Sequence, residues 1–160
     1  HAEQFADTGI PFFFDPGQNV PIIEKDELLT AFEHATWLTF NDYEWQLVED
    51  KTGLTIDTIN DHVEALIVTK GGEGSIIYTK GKQYEIPSAK AKELADPTGC
   101  GDAFRAGLLY GLMNDMDWET TGRIASLIGA VKIEKAGTQN HNFSKQEFAD
   151  RFKENFGYSF

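Results

Sequence analysis

Short apolar runs alternate with stretches of helical periodicity along the chain, a pattern that predicts an α/β fold. Continuous apolar runs at residues 11–14, 36–40 and 65–69 predict buried strands. A hairpin is expected at residues 75–78 and 82–86, turning through Lys80 and Gly81. Apolar residues at helical spacing predict helices at 24–34, 43–51 (capped by Gly53), 56–63, 102–114 and 118–135, and a last helix that opens with a capping box at 144–147.

Strands that alternate with helices pair in parallel, and ligands of such sheets bind beyond the carboxyl ends of the strands. Residues 41–44, 69–74 and 99–102 are the candidate segments for such ends. We therefore expect these segments to contribute to one ligand site. No repeat, low-complexity stretch or linker interrupts the sequence, so we also expect one compact unit.

Composition narrows the class of protein. A chain of 160 residues is long enough for one domain with a substantial core and short for two. Its net charge of −12 excludes a nucleic-acid surface, which needs a basic stripe. The single cysteine excludes an internal disulfide framework and indicates a reducing compartment. Since no apolar run approaches the length of a membrane span, we expect a cytoplasmic protein without a membrane partner.

Residues 96–107 carry the most specific chemistry in the sequence. Gly99 and Gly101 lead directly into Asp102, where an amphipathic helix begins. Glycines let the backbone approach a ligand, and the first amides of a helix have no intrahelical acceptor, so the segment suits an anion. A carboxylate there would repel a phosphate unless it takes the proton of an attacking hydroxyl. The segment predicts a phosphoryl-transfer site, although a short glycine motif before Asp also fits an ordinary helix cap.

The longer pattern Asp-x-Thr-Gly-x-Gly-Asp-Ala-Phe-x-Ala-Gly in this segment resembles the C-terminal signature of the ribokinase-like (PfkB) family of carbohydrate and nucleoside kinases. The resemblance implies a three-layer α/β sandwich with a mostly parallel sheet flanked by helices. Residues 1–160 would be the C-terminal part of a single such domain. The N-terminal half, with a lid and much of the acceptor pocket, would be absent and needed for activity, and a homodimer would be compatible with the family.

Family likeness also implies roles for the signature residues. Asp102 would be the general base, and the amides of Gly99, Cys100 and Gly101 would hold the transferred phosphoryl group. The resemblance makes Cys100 a spacer whose backbone amide matters, because other small residues occupy this place in the family. The alternative is a nucleophile, since a thiol near a helix N-terminus can have a lowered pKa. Arg105 lies one turn after Asp102, where it would bind a phosphate of ATP or pair with Asp102 as a surface ion pair.

A second motif, Asn41 to Glu44, resembles the N-x-x-E element that organises Mg²⁺, largely through ordered water. The same residues also fit a plain helix cap. Asp96 and Thr98, with the turn at 136–139, resemble a region that binds a monovalent cation in some members, with K⁺ as the expected ion. The ATP-binding set implied by the resemblance comprises Asn41, Thr69, Lys70, Gly71, Gly72, Gly74, Gly101, Arg105 and Ser126.

Together these expectations describe an ATP- and Mg²⁺-dependent kinase that transfers the γ-phosphoryl group to a primary hydroxyl of a sugar or nucleoside. The run at residues 13–18 resembles a subgroup of adenosine and sugar kinases, so adenosine is the first expectation, followed by ribose or a fructose-type sugar. The alternative is a non-catalytic nucleotide-binding module or half-domain subunit. A dinucleotide-binding dehydrogenase is excluded because its acidic residue follows the glycines by about twenty positions.

Overall fold

The computed structural model describes residues 2–160, which divide into two compact units. The first unit runs to Gly71 and includes residues 76–84, and the second comprises residues 72–75 and 85–160. The helices are α1 (Ala2–Thr8), α2 (Lys25–His34), α3 (Asp42–Thr52), α4 (Ile56–Asn60), α5 (Cys100–Met113), α6 (Trp118–Ile133) and α7 (Lys145–Phe156). The strands are β1 (Phe13–Phe14), β2 (Trp37–Asn41), β3 (Ala65–Thr69), β4 (Ser75–Thr79) and β5 (Lys82–Ile86).

The five strands form one sheet in the order β1-β2-β3-β4-β5. Strands β1, β2 and β3 pair in parallel, and the register of β2 with β3 runs from Trp37 opposite Ala65 to Asn41 opposite Thr69. Strands β4 and β5 are joined by the two-residue turn at Lys80 and Gly81, where Gly81 has a φ of 76°. The predicted α/β class with parallel strands is therefore confirmed, with a hairpin added at one end of the sheet.

Apolar side chains of β2 and β3 pack with those of α2 and α3 to form the core of the first unit. Aromatic rings run through this core, with centroid distances of 5.9 Å from Phe14 to Phe32, 6.0 Å from Phe32 to Phe40 and 5.7 Å from Phe40 to Trp45. Such tilted and edge-on pairs stabilise the fold beyond the area they bury. The core thus fixes the end of β2, where Asn41 begins α3.

The second unit is built on close contact between α5 and α6. A Cβ placed on Gly107 would lie 2.5 Å from the Cα of Ala125, and one on Gly111 would lie 2.4 Å from the Oγ1 of Thr121. Glycines four residues apart share one helix face, so α5 presents bare backbone to α6. The signature glycine at position 107 therefore serves helix packing.

Residues 87–96 form neither helix nor strand, yet side chains of α6, of α7 and of Glu134, the residue directly after α6, hydrogen-bond to their backbone. The hydroxyl of Ser126 donates to the carbonyl of Pro87 and accepts from the amide of Ala89. Further along, the Lys90 amide donates to Asn155 Oδ1 at 2.8 Å, and the Lys92 amide donates to Glu134 Oε1 at 2.6 Å. We call residues 87–96 the bonded segment, because it leads directly into the glycine-rich loop.

Several predicted boundaries are confirmed by their caps. Gly53 ends α3 with a φ of 78°, and Ser144 and Glu147 form the reciprocal capping box at the start of α7. The helix predicted over 56–63 ends at Asn60, and the first strand is confined to Phe13–Phe14. Helix α1 was not predicted, because its short stretch carries no clear apolar stripe.

The prediction of one compact unit contrasts with the two units found, and the assignment of residues 1–160 to a single domain stays a prediction. Within the part of the chain that the structure describes, each helix is too short or too polar to cross a membrane.

Candidate active site

The glycine-rich loop turns sharply into α5. Gly99 adopts a left-handed conformation, with φ of 85° and ψ of 3°, which a glycine takes without strain. The Cys100 amide donates to the Pro97 carbonyl at 3.1 Å, and the first helical bond runs from the Ala103 amide to the Gly99 carbonyl at 3.0 Å. The amides of Gly101 and Asp102 have no acceptor among the described residues. These two amides at the positive end of α5 are available to an anion.

The turn at residues 136–139 lies against this loop. A Cβ on Gly99 would lie 3.2 Å from Thr138 Cβ and 3.3 Å from the Thr138 carbonyl oxygen. Glycine at position 99 is therefore required twice, by its backbone conformation and by the neighbouring turn.

Asp96 joins the loop and the turn. Its Oδ1 accepts from the Thr98 amide at 2.9 Å, and its Oδ2 accepts from the Gly137 amide at 2.8 Å. These hydrogen bonds, first that from Thr98 and then that from Gly137, lower the pKa of Asp96 to about 2. The carboxylate thus stays ionised and keeps the two segments together at neutral pH.

Lys132 is the residue of this region that sequence analysis missed. Its side chain is fully buried in the last turn of α6, and its Nζ donates to the Asp96 carbonyl at 2.7 Å and to the Lys135 carbonyl at 3.2 Å. The available signal was a lysine inside the otherwise apolar run at residues 130–133. A lysine on the buried face of a helix indicates a partner, because buried charges are costly when unpaired.

Asp102 and Arg105 form an ion pair on the first turns of α5, with 2.6 Å between Arg105 Nη2 and Asp102 Oδ1. The Asp102 side chain is 77% exposed, so it is open to a substrate. The Arg105 guanidinium lies over Gly101, where a Cβ would be 3.3 Å from Nη1. The structure therefore has the ion pair, and the guanidinium also lies next to the free amides.

The Cys100 thiol packs into the protein, with its Sγ 3.8 Å from the Gly129 carbonyl oxygen. Burial raises the pKa of Cys100, so the thiol is protonated at neutral pH. A spacer role fits this environment better than a nucleophilic role. The Cys100 amide already donates to the Pro97 carbonyl, so, unlike the Gly101 amide, it is not free to bind an anion.

Asn41 and Glu44 form a reciprocal cap at the start of α3. The Glu44 amide donates to Asn41 Oδ1 at 2.7 Å, and the Asn41 amide donates to Glu44 Oε2 at 2.9 Å. Thr69 sits opposite Asn41 in the sheet register, so the ends of two parallel strands bring these predicted residues together. The cap leaves the second Glu44 oxygen for a water or ion, and the Mg²⁺ role stays a prediction. Among the described residues, no group of three or more acidic, histidine or cysteine side chains is arranged to hold a metal.

The second glycine loop is a short 3-10 turn at Gly71–Glu73, with Lys70 exposed before it. Gly71 has a φ of 55°, and a Cβ on Gly72 would meet open space. Gly74 has a φ of 98°, and a Cβ there would lie 2.1 Å from the Ile86 carbonyl oxygen. Gly74 is thus explained by backbone packing, and contact of this loop with ATP stays a prediction.

Sequence analysis assigned Ser126 to the ATP site. In the structure its hydroxyl hydrogen-bonds to the backbone of the bonded segment. It donates to the Pro87 carbonyl at 3.0 Å and accepts from the Ala89 amide at 2.8 Å. The structure gives this hydroxyl a positioning role, and its contact with ATP is untested.

Residues 1–145 match the family model described as the pfkB family carbohydrate kinase. The chain belongs to this family. It is 41% identical over 128 residues to a nucleoside kinase of Methanocaldococcus jannaschii, an alignment that covers 80% of this chain and 42% of the relative. It also matches a solved structure of a nucleoside kinase of M. jannaschii, with a TM-score of 0.88 and 37% identity over 91% of this chain and 48% of that one.

A nucleoside kinase of Burkholderia thailandensis, solved with inosine, matches 99% of this chain and 52% of its own length, with 46% identity and a TM-score of 0.97. The same enzyme has been solved with ADP-inosine. The ribokinase-like α/β fold predicted from the signature is therefore confirmed. The chain spans about half the length of these pfkB relatives.

Proposed function

We propose that this chain supplies the phosphoryl-transfer half of an ATP-dependent nucleoside kinase. The observation that carries the proposal is Asp102, an exposed carboxylate on the first turn of α5, next to two main-chain amides without protein acceptors. A base beside an anion-binding helix terminus suits transfer of a phosphoryl group to a hydroxyl. Membership of the pfkB family supports the same reaction class.

In the proposed reaction, Asp102 accepts the proton of a primary hydroxyl as its oxygen attacks the γ-phosphorus of ATP. The bond to the β,γ-bridging oxygen breaks, and ADP leaves. The amides of Gly101 and Asp102 stabilise charge on the transferred group, since phosphoryl transfer depends mainly on positioning and fixed dipoles. Arg105 lies over Gly101 and would exchange Asp102 for a phosphate oxygen when ATP binds.

Mg²⁺ would supply charge neutralisation on the ATP phosphates when bound. Asn41 and Glu44 fit a role through ordered water, because the reciprocal cap uses one oxygen of each side chain and leaves one Glu44 oxygen for a water ligand. The cap fixes that oxygen at the start of α3, at the end of a parallel strand.

A purine nucleoside is the acceptor we propose, with adenosine first and inosine beside it, ahead of ribose or a fructose-type sugar. The support is that the M. jannaschii and B. thailandensis relatives are nucleoside kinases. Much of the acceptor pocket would come from the part of such a kinase that this chain does not span. We also propose that this missing part is needed for activity.

The test is the Asp102→Asn substitution in the full-length protein that contains this chain. Turnover is measured by coupled ADP release with adenosine, inosine, ribose and fructose, and ATP affinity by calorimetry. We expect kcat to fall by roughly 10²–10⁴-fold, the usual contribution of a general base, with ATP affinity retained. Asp57→Asn, at an exposed carboxylate on the first turn of α4, is the matched control and should leave kcat unchanged.

Near-normal turnover in Asp102→Asn would exclude the general-base role. ATP binding by the wild-type full-length protein without turnover on any of the acceptors would instead favour the non-catalytic nucleotide-binding module.

A further inference from the structure

Lys132 holds a positive charge where the protein has excluded water. Its side chain is fully buried, which is rare for lysine unless the ammonium has partners. The ammonium sits in the last turn of α6, where the helix dipole favours a cation. Its two acceptors, the carbonyl oxygens of Asp96 and Lys135, lie at 2.7 and 3.2 Å. This is a built site for one positive charge.

The two acceptors come from different parts of the second unit. Asp96 precedes the glycine-rich loop, whereas Lys135 follows α6 and directly precedes the turn at 136–139. The Ile133 carbonyl also accepts from the amides of Ala95 and Asp96, at 2.9 and 3.0 Å, so the backbones already meet here. Lys132 therefore ties the segment that leads to Asp102 to the end of α6.

Main-chain carbonyl oxygens beside a carboxylate are the ligands that a monovalent cation uses in place of its hydration shell. Here the Asp96 carbonyl accepts from the Lys132 ammonium, and the two Asp96 carboxylate oxygens accept from the amides of Thr98 and Gly137. A monovalent ion on the Asp96 carbonyl would lie next to the Lys132 ammonium, and two like charges at that distance repel each other. Asp96, which sequence analysis assigned to K⁺, therefore already has a cation beside it in Lys132.

We infer that the Lys132 ammonium takes the place of a monovalent cation and holds the glycine-rich loop in position as an internal charge. Lys132 is a positioning residue, because it acts on the loop through the Asp96 carbonyl. This inference rests on the proposed kinase function for its activity readout. It follows that turnover of the protein does not depend on added K⁺.

The first experiment compares the wild-type full-length protein in potassium chloride and in choline chloride at equal ionic strength. We expect equal kcat and equal Tm in the two salts. Several-fold stimulation by K⁺ with a rise in Tm would overturn the inference, because it would show a separate cation site.

The second experiment removes the ammonium. Lys132→Ala leaves a space lined by unpaired carbonyls, and we expect its kcat in choline chloride to fall by roughly tenfold, as for one buried group left unsatisfied. Addition of K⁺ or NH₄⁺ should restore kcat and raise Tm in this variant. Lys132→Met fills the space and should lose activity without recovery by either ion. Lys25→Ala, at an exposed lysine that begins α2, is the control and should match the wild type.

A Lys132→Ala protein that folds but gains neither activity nor Tm from K⁺ or NH₄⁺ would overturn the inference. If this variant fails to fold, the wild-type salt comparison still decides. Because Tm is measured without substrate, a wild-type protein without kinase activity would refute the proposed function and leave the cation test intact.

Discussion

Gly107 should tolerate no side chain, and this is the sharpest structural prediction for the chain. In Gly107→Ala, the new Cβ would lie 2.5 Å from the Ala125 Cα and 2.9 Å from the Ala125 nitrogen. Both are backbone atoms of α6, so no side-chain rotation relieves the contact. The two helices must separate, and α5 carries Asp102 on its first turn.

Two opposing effects set the magnitude. Replacing a glycine inside a helix by alanine stabilises the helix by about 1 kcal/mol. Overpacking a tight contact costs about 1–3 kcal/mol, and the upper part of this range applies because backbone must move. We therefore expect Gly107→Ala to lower the free energy of unfolding by about 1–2 kcal/mol.

Gly129→Ala in α6 is the matched control, since the nearest heavy atom to its new Cβ is the Cys100 carbonyl oxygen at 3.9 Å, an ordinary contact. This variant should gain up to about 1 kcal/mol from helix propensity alone. Urea unfolding of the full-length protein and its two variants, followed by circular dichroism, measures the difference. A Gly107→Ala protein as stable as Gly129→Ala would refute the close packing of α5 on α6.

Two further predictions concern charged side chains of the second unit. The folded pKa of Asp96, about 2, lies below its ordinary value of 3.8, so its contribution to stability is complete above about pH 4 and is lost as the pH falls toward 2. Asp96→Asn should remove that part of the pH dependence, and Tm curves of variant and wild type that run parallel from pH 6 to pH 2 would contradict it. Glu134 and Arg151 form a bidentate pair with side chains only 9% and 12% exposed, and Arg151 also donates to the Lys90 carbonyl at 2.9 Å. Although burial opposes ionisation, hydrogen bonds from Arg151 and the Lys92 amide lower the pKa of Glu134. Arg151→Met should cost about 3–5 kcal/mol of unfolding free energy, because it leaves the buried carboxylate without its cation and with only the Lys92 amide as a hydrogen-bond partner. Urea unfolding measures this loss of stability. The double variant Arg151→Met, Glu134→Gln should recover part of it, because the buried charge is removed. A loss of unfolding free energy below about 1 kcal/mol in Arg151→Met would show that the pair acts like a surface ion pair.

The features that could be predicted from the sequence depend on residues close together in the chain. The caps at Gly53 and at Ser144 depend on residues within one helical turn, and the buried strand at Ala65–Thr69 is a continuous apolar run. The signature around Asp102 is likewise a continuous stretch, and it indicated the family and the helix start to within two residues. Each of these features needs only neighbours in the chain.

Contacts between residues far apart in the chain could not be predicted from the sequence. The bond from Lys132 to the Asp96 carbonyl spans 36 positions, and nothing near Lys132 in the sequence names its acceptor. The role of Gly107 depends on Ala125 in another helix, and that of Ser126 depends on Pro87 and Ala89. Such roles appear only when packing brings the elements together.

The bonded segment, residues 87–96, is held in place in an unusual way for a stretch of backbone that leads into a proposed ligand site. In a regular strand, neighbouring strands hold the backbone. Here three side chains do so: the Ser126 hydroxyl of α6, the carboxylate of Glu134 directly after α6, and the Asn155 amide of α7. Asn155 in α7 thus helps to position the backbone that leads into the proposed anion-binding loop, although it donates no group to that loop itself. If the loop acts as proposed, a substitution in α7 would change the site indirectly, by shifting the backbone before it.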